Sequence, residues 1–454
     1  MRRIAVIVLA FLLGAAVTAS AQDWRAGIDS RVELMSILFR LAGNQEYRQC
    51  RAAAYDQAIE KYFAPYRNHD AVQLARSLGV GFDAPMKFAV SLRDTDSLEE
   101  LVPFDRPGLH LYEGWNAPKA RDFLSAIRRF ATDTNFPGFL QSQQPLYTAT
   151  DARLQSFLKD QADLGWFDRF FGSATPPHLR IVPGMANGAP SYAARVVDAA
   201  GVQFIYAIPG VSKVDSHGLP VFDAAWRIVM VHQLANVYVS PAAGKVAALV
   251  EKPASRIYAH VSAAMQKQSY GNWRTMVNSS LARAAAIEYV IEHEGREPAL
   301  REVRKENAKS FFWMGSLVDL LETYRQDRQQ YPTFESFAPH LVEFFNDVAP
   351  GIQDLADRYQ PKVISASISD GARDVDPGVK SIVVRFSMPM SRSKGRFDSS
   401  GTVLTIPIIL EPERDYAIPV RWPGGQDFVS EEGVPLPATV LHFRTAAAAP
   451  PQKQ

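Results

Sequence analysis

Trp226-Arg227-Ile228-Val229-Met230-Val231-His232-Gln233-Leu234-Ala235-Asn236-Val237-Tyr238-Val239 is the stretch on which the reading of the fold turns. It is almost wholly apolar, the exceptions being Arg227 and a polar cluster at His232, Gln233 and Asn236. On a helix, positions 232 and 236 stand one turn apart on the same face. Burying three polar side chains in an apolar segment is costly unless each finds a partner, so the cluster needs a reason. Propensity also allows a strand, because Ile228, Val229, Val231, Val237 and Val239 are β-branched. Positions 232 and 236 share a face in a strand too, so the periodicity leaves both readings open.

Around this segment, helical periodicity runs from about Phe222 to Tyr359, with breaks expected near Pro241, Gly271, Gly295 and Pro332. Upstream, the chain from Asp29 to about Phe171 is helical in pattern and rich in aromatics. Its helical runs are Val32–Leu41, Ala52–Tyr66, His69–Leu78, Lys119–Phe130 and Thr150–Phe171. Two strand-like runs, Leu179–Pro183 and Val202–Ile208, lie between these halves, bounded by Gly, Asn and Pro. Many helices with a small sheet read as α+β. At Pro361 the texture changes. Lys362–Ile368, Ser381–Ser387, Thr402–Leu410 and Thr439–Thr445 are β-branched runs, separated by Asp370-Gly371, Pro377-Gly378, Pro423-Gly424-Gly425 and Glu432-Gly433. That pattern predicts an all-β sandwich.

The start of the chain carries an address. Arg2 and Arg3 precede an apolar stretch from Ile4 to Val17, and Ala19-Ser20-Ala21 supplies the small residues of a signal-peptidase site. The apolar stretch is shorter than the roughly 20 residues of a spanning helix, and a cut before Gln22 is expected. This predicts a secreted or periplasmic protein. The resulting plan is a signal peptide at 1–21, an α+β domain at 22–360, a β domain at 361–446 and a disordered tail at 447–454.

With 454 residues the chain is long enough for more than one domain, and 47 % apolar with 21 % charged residues is ordinary for a globular protein. Its 49 Lys+Arg against 48 Asp+Glu, with no basic block, exclude an electrostatic case for nucleic acid. A single cysteine, Cys50, allows neither an intrachain disulfide nor a cysteine zinc cluster.

Several segments resemble an uncharacterised family of secreted bacterial proteins, known as a domain of unknown function and similar to zinc metallopeptidases of the gluzincin kind. They are Val32-Glu33-Leu34-Met35-Ser36-Ile37-Leu38-Phe39-Arg40-Leu41-Ala42-Gly43, Tyr62-Phe63, His69-Asp70-Ala71-Val72, Trp166-Phe167 and Phe170-Phe171-Gly172. The stretch from His232 to Asn236, followed by Val239-Ser240-Pro241, falls where that family carries HExxH. Asn278-Ser279-Ser280-Leu281-Ala282-Arg283-Ala284 resembles a helix that normally offers a glutamate ligand. The resemblance implies a zincin-like fold whose site once used two His and a distant Glu for zinc, with a Glu beside the first His as general base.

Here the pattern departs from that chemistry. His232 is kept, but Gln233 stands for the base, Asn236 for the second His and Ser279 for the third ligand. An amide has no useful basicity near neutral pH, and Asn and Ser are poor zinc ligands beside imidazole and carboxylate. The expectation is a degenerate site without metal, cofactor or catalysis, in a protein that binds peptide or an envelope partner. The alternative is a metal-dependent hydrolase using His232 with His217 or Asp215, the one reading in which zinc is retained.

Other candidates read as structural. Glu292-His293-Glu294 precedes Gly295, a helix end, and Asp215 with His217 lies in a Gly/Pro-bounded turn. Ser156/Lys159 and Ser391/Lys394 fit Ser-x-x-Lys without the companion motifs of such a site. His69 and His260 read as helix residues, and Asn278-Ser279-Ser280 fits a glycosylation triplet that carries no weight in a bacterial protein. The C-terminal run resembles the bacterial Ig-like domain of surface-layer and other envelope proteins. The carrying residues are Pro361-x-Val363, Asp370-Gly371-Ala372-x-x-Val375-x-Pro377, Ile382-Val383-Val384-x-Phe386-Ser387-x-Pro389-Met390 and Val440–Thr445. That resemblance implies a spacer or binding module.

Overall fold

The stretch around His232 is helical, as part of a helix that spans Ala224–Ala247. Asp223 caps it, its carboxylate accepting from the Trp226 backbone N–H at 3.0 Å. The helix does not break at Pro241, contrary to the expected boundary. Proline removes the one N–H that would meet the Val237 carbonyl one turn back. The turn holds because Val239, Ala242, Ala243 and Val246 are buried around it, and Ser240 Oγ donates to the Asn236 carbonyl at 2.7 Å. Packing outweighs β propensity here.

These features belong to a computed structural model that describes residues 23–78, 83–106, 116–172, 175–391, 397–421, 428–431 and 433–447. The expected signal peptide 1–21 lies outside the described residues, as do Lys394, the Pro423-Gly424-Gly425 turn, Glu432 and all but the first residue of the expected 447–454 tail.

Facing the central helix is Trp273–Glu294, which Asn272 caps and Gly295, at φ 90°, terminates. Arg227 pairs with Glu294 at 2.5 Å, and Asn278 meets Asn236 further along, so the two helices run antiparallel. A four-stranded sheet flanks them in the order Trp24–Ala26, His178–Ile181, Gln203–Ile208, Tyr192–Val197. The first three strands are parallel and the last is antiparallel to its neighbour. Leu179, Ile181, Ile205 and Ala207 pack on the central helix pair. Tyr192, Ala194, Val196, Tyr206 and Ile208 join a second core with Ser30–Ala42, Ala53–Phe63 and Ala117–Asp133. The two-residue period of a strand thus divides the domain into two cores.

The molecule is α+β, about half helical with small sheets. Two of the sheet strands were not anticipated. Trp24–Ala26 has only three residues, and Tyr192–Val197 carries Ala193, Ala194 and Arg195, which give little strand signal. The expected helix at Thr150–Phe171 is instead two, Gln144–Gln161 and Trp166–Phe171, and in the turn between them the Asp163 carboxylate accepts from the Trp166 backbone N–H at 3.0 Å.

After Pro361 come two three-stranded sheets, Val363–Ala366, Ser381–Phe386, Val403–Pro407 and Ala372–Val375, Val440–Thr445, Asp415–Pro419. Ile382, Val384, Phe386, Leu404, Leu441 and Phe443 form one apolar cluster between them. Val434 leaves this cluster and is buried in the core of the central helix pair. Among the described residues no helix is long and apolar enough to cross a membrane.

Two buried carboxyl groups make the stability of this fold pH-dependent. Glu33 is wholly buried, receives the Tyr55 hydroxyl on Oε2, and leaves Oε1 without a partner. Glu288 is equally buried, taking Arg325 Nε on Oε2 at 3.1 Å with Oε1 unpartnered. Burial pushes both from an ordinary 4.5 up to about 7. A raised folded-state pKa means that their stabilisation is complete below pH 4.5 and is lost as pH rises through about 7. Glu33→Gln is therefore expected to stabilise the protein at pH 8 by about 1–3 kcal/mol, with a smaller gain at pH 5. Urea unfolding at the two pH values checks this, and an equal or negative effect at pH 8 contradicts it.

Candidate functional site

The polar face of the central helix opens onto a cleft of about 850 Å³, and His232, Gln233 and Asn236 line it. The facing helix contributes Asn278 and Ser279, with Arg274 and Thr275 at its N-terminal end. The opposite wall is the edge strand, from Tyr192 to Val196. A second cavity of about 620 Å³ shares Arg195 and Val237 with the first, so the two form one trough along the edge strand.

The cleft floor is a chain of neutral groups. Asn236 Nδ2 lies 3.4 Å from His232 Nε2. An amide nitrogen only donates, so the imidazole accepts there and carries its proton on Nδ1. Asn278 Nδ2 in turn donates to Asn236 Oδ1 at 3.4 Å. Ser240 Oγ reaches Asn278 Oδ1 at 3.4 Å. Burial holds the His232 pKa well below its ordinary range, and the nearby cations Arg283 and Lys309 depress it further. The ring is neutral at physiological pH.

Gln233 differs from its neighbours. It is only 9 % exposed and lines the cleft, yet its carboxamide has no hydrogen-bond partner among the described residues. Its amide oxygen and nitrogen are not among the buried unpartnered atoms, so the carboxamide faces the open cleft, free to bond water or a ligand.

Ser279 is buried on the facing helix and shares the cleft with His232 and Asn236. Its hydroxyl is already engaged, accepting from Arg283 Nε at 3.1 Å, and the contact that crosses to Asn236 comes from Asn278 instead. Sequence reasoning placed Ser279 in the site and missed both partners. Arg283 is itself buried, bonded through Nη1 to Glu306 and through Nη2 to the Tyr270 hydroxyl at 2.9 Å. Its guanidinium also lies 4.7 Å from the Phe311 ring centroid, and Lys309 Nζ reaches Glu306 at 2.9 Å.

The other sequence candidates lie apart from this cleft. Asp215 pairs with Arg153 at 2.9 Å and closes its own turn by accepting from the His217 and Leu219 backbone. Neither Asp215 nor His217 lines the cleft with His232. His293 bonds the Tyr289 carbonyl at 2.8 Å, and Glu292 accepts from Trp166 Nε1 at 2.9 Å. His69 caps the Asp70–Ser77 helix, His260 is exposed, and Ser156 bonds Asp160 at 3.3 Å. Among the described residues no three His, Cys, Asp or Glu side chains gather in metal-binding reach. One imidazole, two carboxamides, an engaged serine and a nearby guanidinium do not fit a zinc ion.

A match over residues 25–344 to the family described as "Domain of unknown function (DUF4932)" takes in the helical cores, the four-stranded sheet and the cleft. The chain belongs to this family. No curated protein matches it. A solved structure titled "Crystal structure of the S-layer protein rSbsC(31-844)" aligns at 14 % identity and a TM-score of 0.17, over 50 % of this chain and 37 % of its own. The chain thus spans little more than a third of that protein, and a likeness at this level carries no argument.

The Arg283–Glu306 pair beneath the cleft is buried on both sides, each side chain 10 % exposed. Removing one partner leaves an uncompensated charge, so Glu306→Ala is expected to cost about 3–5 kcal/mol in urea unfolding. A loss below about 1 kcal/mol would mean that water already screens the pair.

Proposed function

We propose that this chain is an exported, non-catalytic binding protein that keeps a zinc-peptidase-like architecture without the metal chemistry, and that its cleft holds an extended peptide segment of an envelope partner. The observation that carries the reading is the Gln233 carboxamide, which lines the cleft with no hydrogen-bond partner among the described residues. A carboxamide offers a donor and an acceptor together, which matches a peptide group. The edge strand Tyr192–Val197 supports the same occupant, because no described strand pairs with its outer side and such an edge accepts another strand through main-chain hydrogen bonds.

The chemistry argues against turnover. Gln233 takes no proton, and the one imidazole has its Nε2 lone pair turned toward Asn236. A hydrolase using His232 with His217 or Asp215 has less support, since those two residues serve a turn away from the cleft. The two sheets after Pro361, with their shared apolar cluster, are read as an Ig-like sandwich acting as a spacer or second binding surface. Secretion or periplasmic residence follows from the signal-peptide reading of residues 1–21.

Metal analysis of the purified protein after dialysis against zinc is expected to find no stoichiometric ion. The triple variant Gln233→Glu, Asn236→His, Ser279→Glu is expected to gain one, because it supplies the missing carboxylates and imidazole. Stoichiometric zinc in the parent protein that disappears in His232→Ala, or peptide turnover that a chelator abolishes, would establish the hydrolase reading instead.

A further inference from the structure

We infer that the segment the trough accepts is an acidic peptide, an inference that rests on the cleft being a peptide-binding site. Its charged lining sorts into paired and unpaired groups. Lys87 is neutralised by Asp83 at 2.5 Å, and Lys245 by Glu335 at 2.5 Å. Two cations remain. Arg195 Nη2 donates to the neutral Gln203 Oε1 at 2.6 Å, and the Arg274 guanidinium lies 4.4 Å from the Trp273 ring centroid. Neither has a carboxylate partner among the described residues.

Two further features have the same sign. Behind the floor, Arg283 and Lys309 share the single carboxylate of Glu306, leaving one positive charge uncompensated. Arg274 and Thr275 stand in the first turn of the Trp273–Glu294 helix, where the backbone dipole presents its positive end. This field is local, because the whole chain has a formal net charge of only +1.

Placement ties the charge to a peptide rather than to a generic polyanion. Arg195 belongs to the edge strand and lines both cavities, so its guanidinium stands midway along any added strand. Gln233 offers an amide donor and acceptor at the floor, which a main-chain peptide group matches. A strand with an acidic side chain near Arg195 and a second toward Arg274 satisfies both charge and backbone. Complementary charge of this kind speeds encounter and selects between partners, and its effect is screened by salt.

The test uses the full mature chain and three fluorescein-labelled peptides of about ten residues, in which alternate positions carry Glu, Ser or Lys on a Val/Thr background. Fluorescence anisotropy at low salt is expected to rank Glu above Ser above Lys, with at least a tenfold gap between the extremes that shrinks in high salt. Both arginines are exposed, so the double variant Arg195→Gln, Arg274→Gln is expected to fold normally and lose the ranking. Hydrogen exchange reads the site directly, through protection of Tyr192–Val197 by bound peptide. Equal binding of the Glu and Lys peptides with that protection intact would overturn the charge inference and leave the cleft reading standing. Absence of binding and protection with all three peptides would remove both. Displacement of the Glu peptide by alginate at matched carboxylate concentration would overturn the assignment to peptide.

Discussion

The antiparallel contact between Ala224–Ala247 and Trp273–Glu294 is the constraint from which the rest of the domain follows. Small residues are buried on both sides of it, Ala235, Ala242 and Ala243 on one helix and Ala282, Ala285 and Ala286 on the other. Helices with small interface residues approach closely, and what lies between them must be apolar or fully hydrogen-bonded. Where the two helices open onto the cleft, the row from His232 through Asn236 and Asn278 to Ser240 links them with neutral groups alone. Its bonds, at 3.4 Å, are long, so the row is held in place by the helices rather than holding them together.

The sheet sets the second constraint. Because its strands alternate faces, it serves the central helix pair with Ile205 and Ala207 and the N-terminal helices with Tyr206 and Ile208. Neither core is complete without it. The strand that ends the sheet, Tyr192–Val197, therefore has its inner pairing fixed by Gln203–Ile208 and presents its outer edge to the cleft. The cleft is thus bounded by two elements that are themselves rigid for reasons unrelated to any ligand, which is the condition for a pre-formed site.

How far the sequence reveals this depends on whether a feature is local. The helix around His232 is legible as a candidate, but its β-branched residues leave a strand equally open until the Asp223 cap and the buried Val239, Ala242 and Val246 decide it. The α+β class, the breaks at Gly271 and Gly295, and the change of texture at Pro361 all rest on local signals. The edge strand is different. Tyr192-Ala193-Ala194-Arg195-Val196-Val197 has weak propensity, and only its pairing partner makes it a strand. Asn278 and Ser279 differ by one position, and the rotation of the facing helix determines which of them reaches Asn236. Periodicity does not fix that rotation, and nothing near Ser279 in the sequence marks the role of Glu306 beneath it.

Arg283 gives the site its physical logic under the proposed reading. A carboxylate at position 279 would compete with Glu306 for the Arg283 guanidinium, which already bonds the Ser279 hydroxyl. With Ser279 there instead, the Arg283 charge is answered once, from behind, by Glu306, and the serine serves only as a further acceptor for its Nε. Burial first, and this charge with that of Lys309 second, hold His232 neutral, so the cleft floor carries no charge of its own. A floor of that kind recognises main-chain amides and leaves discrimination by charge to the exposed arginines at the rim, Arg195 and Arg274.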